Sequence, residues 1–120
     1  MRQPKRKDDI VLLHHMIDFS RKAVEFTRGH RRADLDSDEM LALATVRLIE
    51  MIGEAARNIS EELRQRYTGI PWDLISGTRN RLAHGYIDVD LDIIWTIVTR
   101  DLPTLIKELE RILKQEGGDE

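Results

Sequence analysis

Met40-Leu41-Ala42-Leu43-Ala44-Thr45-Val46-Arg47-Leu48-Ile49-Glu50-Met51-Ile52-Gly53-Glu54-Ala55-Ala56 is the stretch that decides the fold. Within it Met40, Leu43, Ala44, Arg47, Leu48, Met51, Ile52 and Ala55 recur at spacings of three and four, which places them on one face of an α-helix. The helix is expected to reach Asn58 or Ile59, and Ser60-Glu61-Glu62 to cap a short extension through Arg66. Just upstream, Asp36 followed by Glu39 has the form of a capping box with Asp36 as the cap.

The same period recurs outward in both directions. Ile10, Leu13, Ile17 and Val24 predict a helix from Asp8 to about Arg28, with Gly29 as its left-handed C-terminal residue. After the turn Gly69-Ile70-Pro71, a third helix is expected over 72–83, with Pro71 in its first turn and Gly85 ending it. A fourth starts at Asp88 or Asp90 and runs through Ile94, Trp95 and Val98. Pro103 kinks or splits it, because its ring has no N–H to donate and clashes with the preceding turn. The last piece carries Leu105, Ile106, Leu109 and Ile112. The expectation is an all-α fold, four or five antiparallel helices in a bundle. Residues 1–7 read as a basic tail, 8–115 as the helical domain, and 116–120 as a polar tail that frays from Gln115 onward.

Composition narrows the function. A chain of 120 residues fits one domain, and 34% charged with 41% hydrophobic residues is globular rather than disordered. The net charge of −3 gives no global basic field, so any RNA contact must come from a local basic patch. Aromatics at 5% argue against a base-stacking platform. With no cysteine there is no disulfide scaffold, no thiolate metal site and no thiol nucleophile. A reducing, cytoplasmic setting is the expectation. No signal-type apolar stretch follows the charged residues 1–9. The apolar windows 40–53 and 93–98 are too short, or carry Arg47 and Glu50, to span a membrane. His14 and His15 stand about 100° apart on a helix, and no histidine pair has the spacing of a helical zinc site. Neither a metal site nor a cofactor is expected.

The chemistry is concentrated in Thr78-Arg79-Asn80-Arg81-Leu82-Ala83-His84-Gly85-Tyr86. Arg79 and His84 are separated by about 140° on an ideal helix. Arg79 is long enough to reach around a helix end, and Gly85 lets the chain turn so that Tyr86 folds back. A helix C-terminus favours positive charge, so a histidine there keeps its proton more readily and suits general acid–base work. Arg79 offers a planar fork of donors to a phosphate, and Asn80 a supporting contact. RNA brings its own nucleophile, the 2′-OH. On local pattern alone the plainer reading is favoured: a solvated arginine and a capping histidine at a helix end.

Other residues carry weaker signals. Arg28, Arg31 and Arg32, with Arg81, are candidates for phosphate contact, although such a loop is more often simply solvated. Arg47 interrupts an apolar stripe, either lining a cleft or covering the core with its stem. Glu54 is placed to orient Arg79, to pair across a dimer, or to form a structural ion pair. Trp72 and Trp95 read as core or interface anchors.

Over nearly its whole length the chain resembles the HepT-like branch of the HEPN superfamily. The resemblance rests on Ile52-Gly53-Glu54-Ala55-Ala56, on Ile70-Pro71-Trp72, and above all on 79–86, which has the form Arg-x4-His-x-Tyr. Residues 88–95 and Asp101-Leu102-Pro103 complete it. The resemblance implies a HEPN bundle, a homodimer that places two motifs along one cleft, and metal-independent endoribonuclease activity through Arg79 and His84. It also implies a type VII toxin–antitoxin pairing with an MntA-like minimal nucleotidyltransferase, which silences the toxin by adding AMP to Tyr86. The alternative is a non-catalytic HEPN subunit that recruits nucleotide or substrate for such a partner. A purely structural helical dimer is the third possibility.

Overall fold

A computed structural model describes residues 6–78 and 89–117. Among these residues every regular element is helical, in agreement with the all-α expectation. In chain order they are α1 (Arg6–Thr27), α2 (Asp34–Ser37), α3 (Glu39–Asn58), α4 (Glu61–Arg66), α5 (Trp72–Ser76), α6 (Leu91–Thr96), a π-helical turn (Ile97–Asp101) and α7 (Leu102–Gln115).

The core forms where the apolar faces of the long helices meet. Leu13, Met16 and Ile17 of α1, Leu48, Ile49, Ile52 and Ala56 of α3, and Leu109, Ile112 and Leu113 of α7 are all buried in one cluster. α1 packs most extensively on α3 and then on α7. Packing of such faces, rather than intrinsic propensity, supplies most helix stability in a domain of this size. α1 and α3 run antiparallel. The start of α1 lies at the end of α3, where buried Asp9 accepts hydrogen bonds from the Ser60 N–H at 2.9 Å and the Ser60 hydroxyl at 2.6 Å. Ser60 in turn caps α4, its hydroxyl oxygen accepting from the Leu63 N–H.

The helix ends are set by local chemistry. Gly29 adopts φ +79° just beyond α1, the left-handed conformation that spares a Cβ clash. The cap anticipated at Asp36 sits two residues later, as a single N-cap bond rather than a capping box. Asp38 has extended backbone and its carboxylate accepts from the Leu41 N–H at 3.1 Å, whereas Asp36 lies inside α2. The reason is α2 itself: one helical turn around buried Leu35 delays the start of α3. Pro71 precedes α5 as its cap residue rather than occupying its first turn. Asp90 caps α6, accepting from the Asp92 and Ile93 N–H groups. Asp88, Ala83 and Gly85 lie outside the described residues.

Pro103 neither splits nor ends its helix. The N–H of Leu102 donates to the carbonyl of Ile97, five residues back, so the turn before the proline is widened. That widening takes up the ring that would otherwise collide with the carbonyl four residues earlier, and α6 runs on into α7. At the far end, Glu116 does not fray with the tail. It is buried, and it accepts from the Tyr67 hydroxyl at 2.5 Å and from the Arg66 guanidinium at 2.9 Å, tying the end of α7 to the end of α4.

Candidate functional site

The motif residues Arg79, Asn80, Arg81, His84 and Tyr86 lie outside the described residues. The frame that leads into them does not. α5 ends at Ser76, Gly77 follows, and Thr78 is buried with its hydroxyl donating to the Leu74 carbonyl at 3.0 Å. α5 is anchored at its start by Trp72, buried, whose indole N–H donates to the Tyr67 carbonyl at 2.9 Å. Its far end lies directly against α3. A Cβ at Gly53 would fall 2.9 Å from the Ile75 carbonyl oxygen. The absence of a side chain at Gly53 is therefore what lets the two backbones approach, and that approach fixes Thr78, the residue bonded to Arg79.

A groove of about 350 Å³ opens beside this frame. Ile49 and Ile52 of α3, Leu74 and Thr78, and Arg100, Asp101 and Leu105 are among its walls. Its floor is apolar and its charges stand at the rim on the α6–α7 rod. A slot of this kind accepts a flat or apolar group and holds a charged one at its edge.

The remaining candidates separate. Arg28 pairs with Glu25, and Arg32 is drawn into a double bridge, Nε to Asp92 at 2.7 Å and Nη1 to Asp36 at 3.1 Å. The hydrogen bond to Asp92 leads the contacts that raise Arg32 above the usual guanidinium range. Arg31 uses its backbone N–H to hold Asp34 at 2.8 Å, while its side chain is exposed. That backbone bond, followed by the His30 ring, holds the Asp34 carboxyl below its usual range. The loop arginines are thus largely balanced by carboxylates, and Arg31 alone of the three offers its guanidinium without a carboxylate partner among the described residues. Arg47 and Glu54 line one shallow hollow on α3 with Glu50 and Met51. Arg47 reaches Glu50 at 3.4 Å; the Glu54 carboxylate is exposed and meets no cation among the described residues. Among the described residues no group of histidines and carboxylates is arranged to hold a metal ion. No described helix is long and apolar enough to cross a membrane.

Two structural devices escaped the sequence reading. Asp9 looks like any acidic first-turn residue, and Tyr67 like a loop tyrosine. Their partners, Ser60 and Glu116, lie 51 and 49 residues away. No local spacing encodes such pairings. Desolvation, followed by the bond to Glu116, pushes the Tyr67 hydroxyl above its usual range.

Residues 16–112 match the family model described as "Ribonuclease HepT-like". A candidate RNase of Caldanaerobacter subterraneus subsp. tengcongensis is 35% identical over 104 residues, 87% of this chain and 93% of the relative. A candidate RNase of Methanocaldococcus jannaschii is 33% identical over 116 residues, covering 96% of each chain. A "Probable ribonuclease HepT" of Thermococcus cleftensis is 34% identical over 90 residues, 75% of this chain and 82% of its own. No solved structure matches.

Proposed function

Because the chain belongs to the ribonuclease HepT-like family, we propose that it is a cytosolic endoribonuclease toxin acting through Arg79 and His84. The observation that carries this reading is the intact run from Arg79 to Tyr86 inside the matched residues, which follows directly on the segment where α5 lies against α3. The 2′-oxygen of the substrate attacks the adjacent phosphorus, the bond to the 5′-oxygen breaks, and a 2′,3′-cyclic phosphate remains. His84 takes the 2′-OH proton or supplies one to the departing 5′-oxygen, and the other transfer is made with water. Arg79, supported by Asn80, binds the phosphate oxygens as charge builds on them. This chemistry asks for no metal.

The reading includes a homodimer. Met40 and Leu43 stand 82% and 62% exposed on α3, beside the hollow of Arg47 and Glu54, and a second copy covering them supports a shared cleft. It also includes control by an MntA-like nucleotidyltransferase antitoxin of a type VII pair. AMP on Tyr86 adds bulk and a phosphate that Arg79 can bind in place of RNA.

The decisive experiment follows cleavage of labelled RNA by the purified protein with excess EDTA. Cleavage to a cyclic phosphate is expected, and it should vanish in Arg79→Ala and His84→Ala variants of unchanged helical content. Equal cleavage by these variants would refute the assigned roles, and loss of parental activity in EDTA would refute the metal-free step. For control by the antitoxin, co-expression should add AMP mass to a Tyr86 peptide. Full neutralisation with Tyr86 unmodified would show capture alone.

A further inference from the structure

A chain of net charge −3 needs a local patch to meet RNA, and the α6–α7 rod carries one outside the motif. Arg100 in the π turn and Lys107, Arg111 and Lys114 of α7 are all exposed. At about 100° per residue, the last three fall within a wedge of about 60°. They lie opposite buried Leu102, Leu109, Ile112 and Leu113. Among the described residues, Arg100, Lys107 and Lys114 have no carboxylate within ion-pair distance, and Arg111 pairs only with Glu108. The nearby Glu110 is taken by Arg21 of α1.

The row does little for the helix. Lys107 and Arg111 stand at i,i+4, and Arg111 and Lys114 at i,i+3, where like charges repel weakly. Only Lys114, in the last turn, gains from the helix dipole. The row is also well placed. Arg100 and Thr78 line the same groove, and Thr78 is bonded to Arg79. From Arg100 to Lys114 the rod rises about 21 Å, the length of about six nucleotides at roughly 3.4 Å of axial rise each.

We propose that Arg100, Lys107 and Lys114, with Arg111 beside them partly balanced by Glu108, form an RNA-backbone track that holds the strand leading away from the groove. The proposal rests on the ribonuclease reading and adds to it a second binding surface. The cations contact phosphates without reading bases, so the track supplies affinity and orientation and leaves sequence choice to the motif region. Its contribution is electrostatic and falls with salt.

The test uses the full chain in a His84→Ala background, to stop cleavage. The probe is a labelled single-stranded RNA about twelve nucleotides long, twice the span of the track. Anisotropy is titrated at several salt concentrations. Each phosphate contact to a single strand contributes about 0.7 to the salt slope, or about fivefold in affinity at 0.1 M salt. Lys107→Gln with Lys114→Gln should therefore weaken binding about 25-fold and lower the slope by about 1.4. Lys22→Gln with Arg57→Gln, which removes two exposed charges from α1 and α3, should change affinity by less than about twofold. Circular dichroism is expected to be the same for all variants. If the α7 pair binds as the parent does, with the same slope, the track is refuted and the ribonuclease reading stands. If the parent binds through the track but wild-type protein never cleaves, the track stands and the ribonuclease reading falls. A parent that binds no RNA refutes the track. So does a poly-glutamate competitor that displaces the probe as well as unlabelled RNA does, since the face would then suit an acidic protein.

Discussion

Gly53→Ala puts the frame of the site under direct strain. The added Cβ would lie 2.9 Å from the Ile75 carbonyl oxygen and 3.9 Å from the Ser76 Cα. Ordinary contact with that oxygen needs about half an ångström more. The obstacle is backbone, which cannot swing aside as a side chain can. Overpacking of this kind costs about 1–3 kcal/mol, and replacing a mid-helix glycine by alanine returns about 1 kcal/mol. The expected net loss is about 1 kcal/mol, which lowers the melting temperature by about 4 °C for a domain of this length. Activity should suffer more than stability. α5 must move away from α3, carrying Thr78 and the start of the motif with it, and misplacement of about 1 Å costs on the order of 100-fold in rate. Half that displacement predicts about a tenfold loss in single-turnover RNA cleavage at a temperature where both proteins are folded. Gly69→Ala is the control: nothing lies within 4 Å of its Cβ position, so stability should hold or rise by up to about 1 kcal/mol. A Gly53→Ala protein that melts no lower than the parent and cleaves at the parental rate would refute the close-approach reasoning.

Asp9→Ala removes a buried carboxylate and strips the half-buried Ser60 N–H and hydroxyl of their acceptor, and should cost about 1–3 kcal/mol in urea unfolding; a loss no larger than that of the exposed Asp8→Ala would contradict this. Tyr67→Phe removes the bond to Glu116 and should cost about 1–2 kcal/mol near neutral pH. Burial and the bond to Glu116 hold the Tyr67 hydroxyl above the usual phenol range, so its stabilisation is complete below the unfolded value and is lost as pH rises through the higher folded one. The phenolate absorbance of wild type minus Tyr67→Phe should accordingly appear above pH 10, and a step below it would be the contrary result. Arg32→Gln should change RNA affinity by less than about twofold, because Asp36 and Asp92 already balance that charge; a larger fall would restore Arg32 as a phosphate contact.

The α3 stripe was legible because a period of three to four residues is a property of consecutive positions. The same holds for Gly29, for Ser60 as a cap, and for the family to which the chain belongs, carried by runs such as Ile52-Gly53-Glu54-Ala55-Ala56. Asp36 was misplaced as a cap because a single turn around Leu35 is too short to show a period, and burial of that leucine is what makes it a turn. Pro103 was read as a kink or a split because its ring forbids a normal α turn. The chain is not split there but takes a widened turn, with Val98 inside that turn and Leu102 just after it both buried.

By itself, then, the order of residues determined an all-α chain, its principal helices, and the chemical inventory of the motif from Arg79 to Tyr86. Each of these depends on spacings of a few residues. The tertiary structure alone decided which groups separated by about fifty positions would meet: Asp9 with Ser60, Tyr67 with Glu116. It also decided that Gly53 is the point where α3 admits the backbone of α5. Such contacts arise only after the apolar faces have packed, because packing fixes distances between helices that no periodicity along one helix contains.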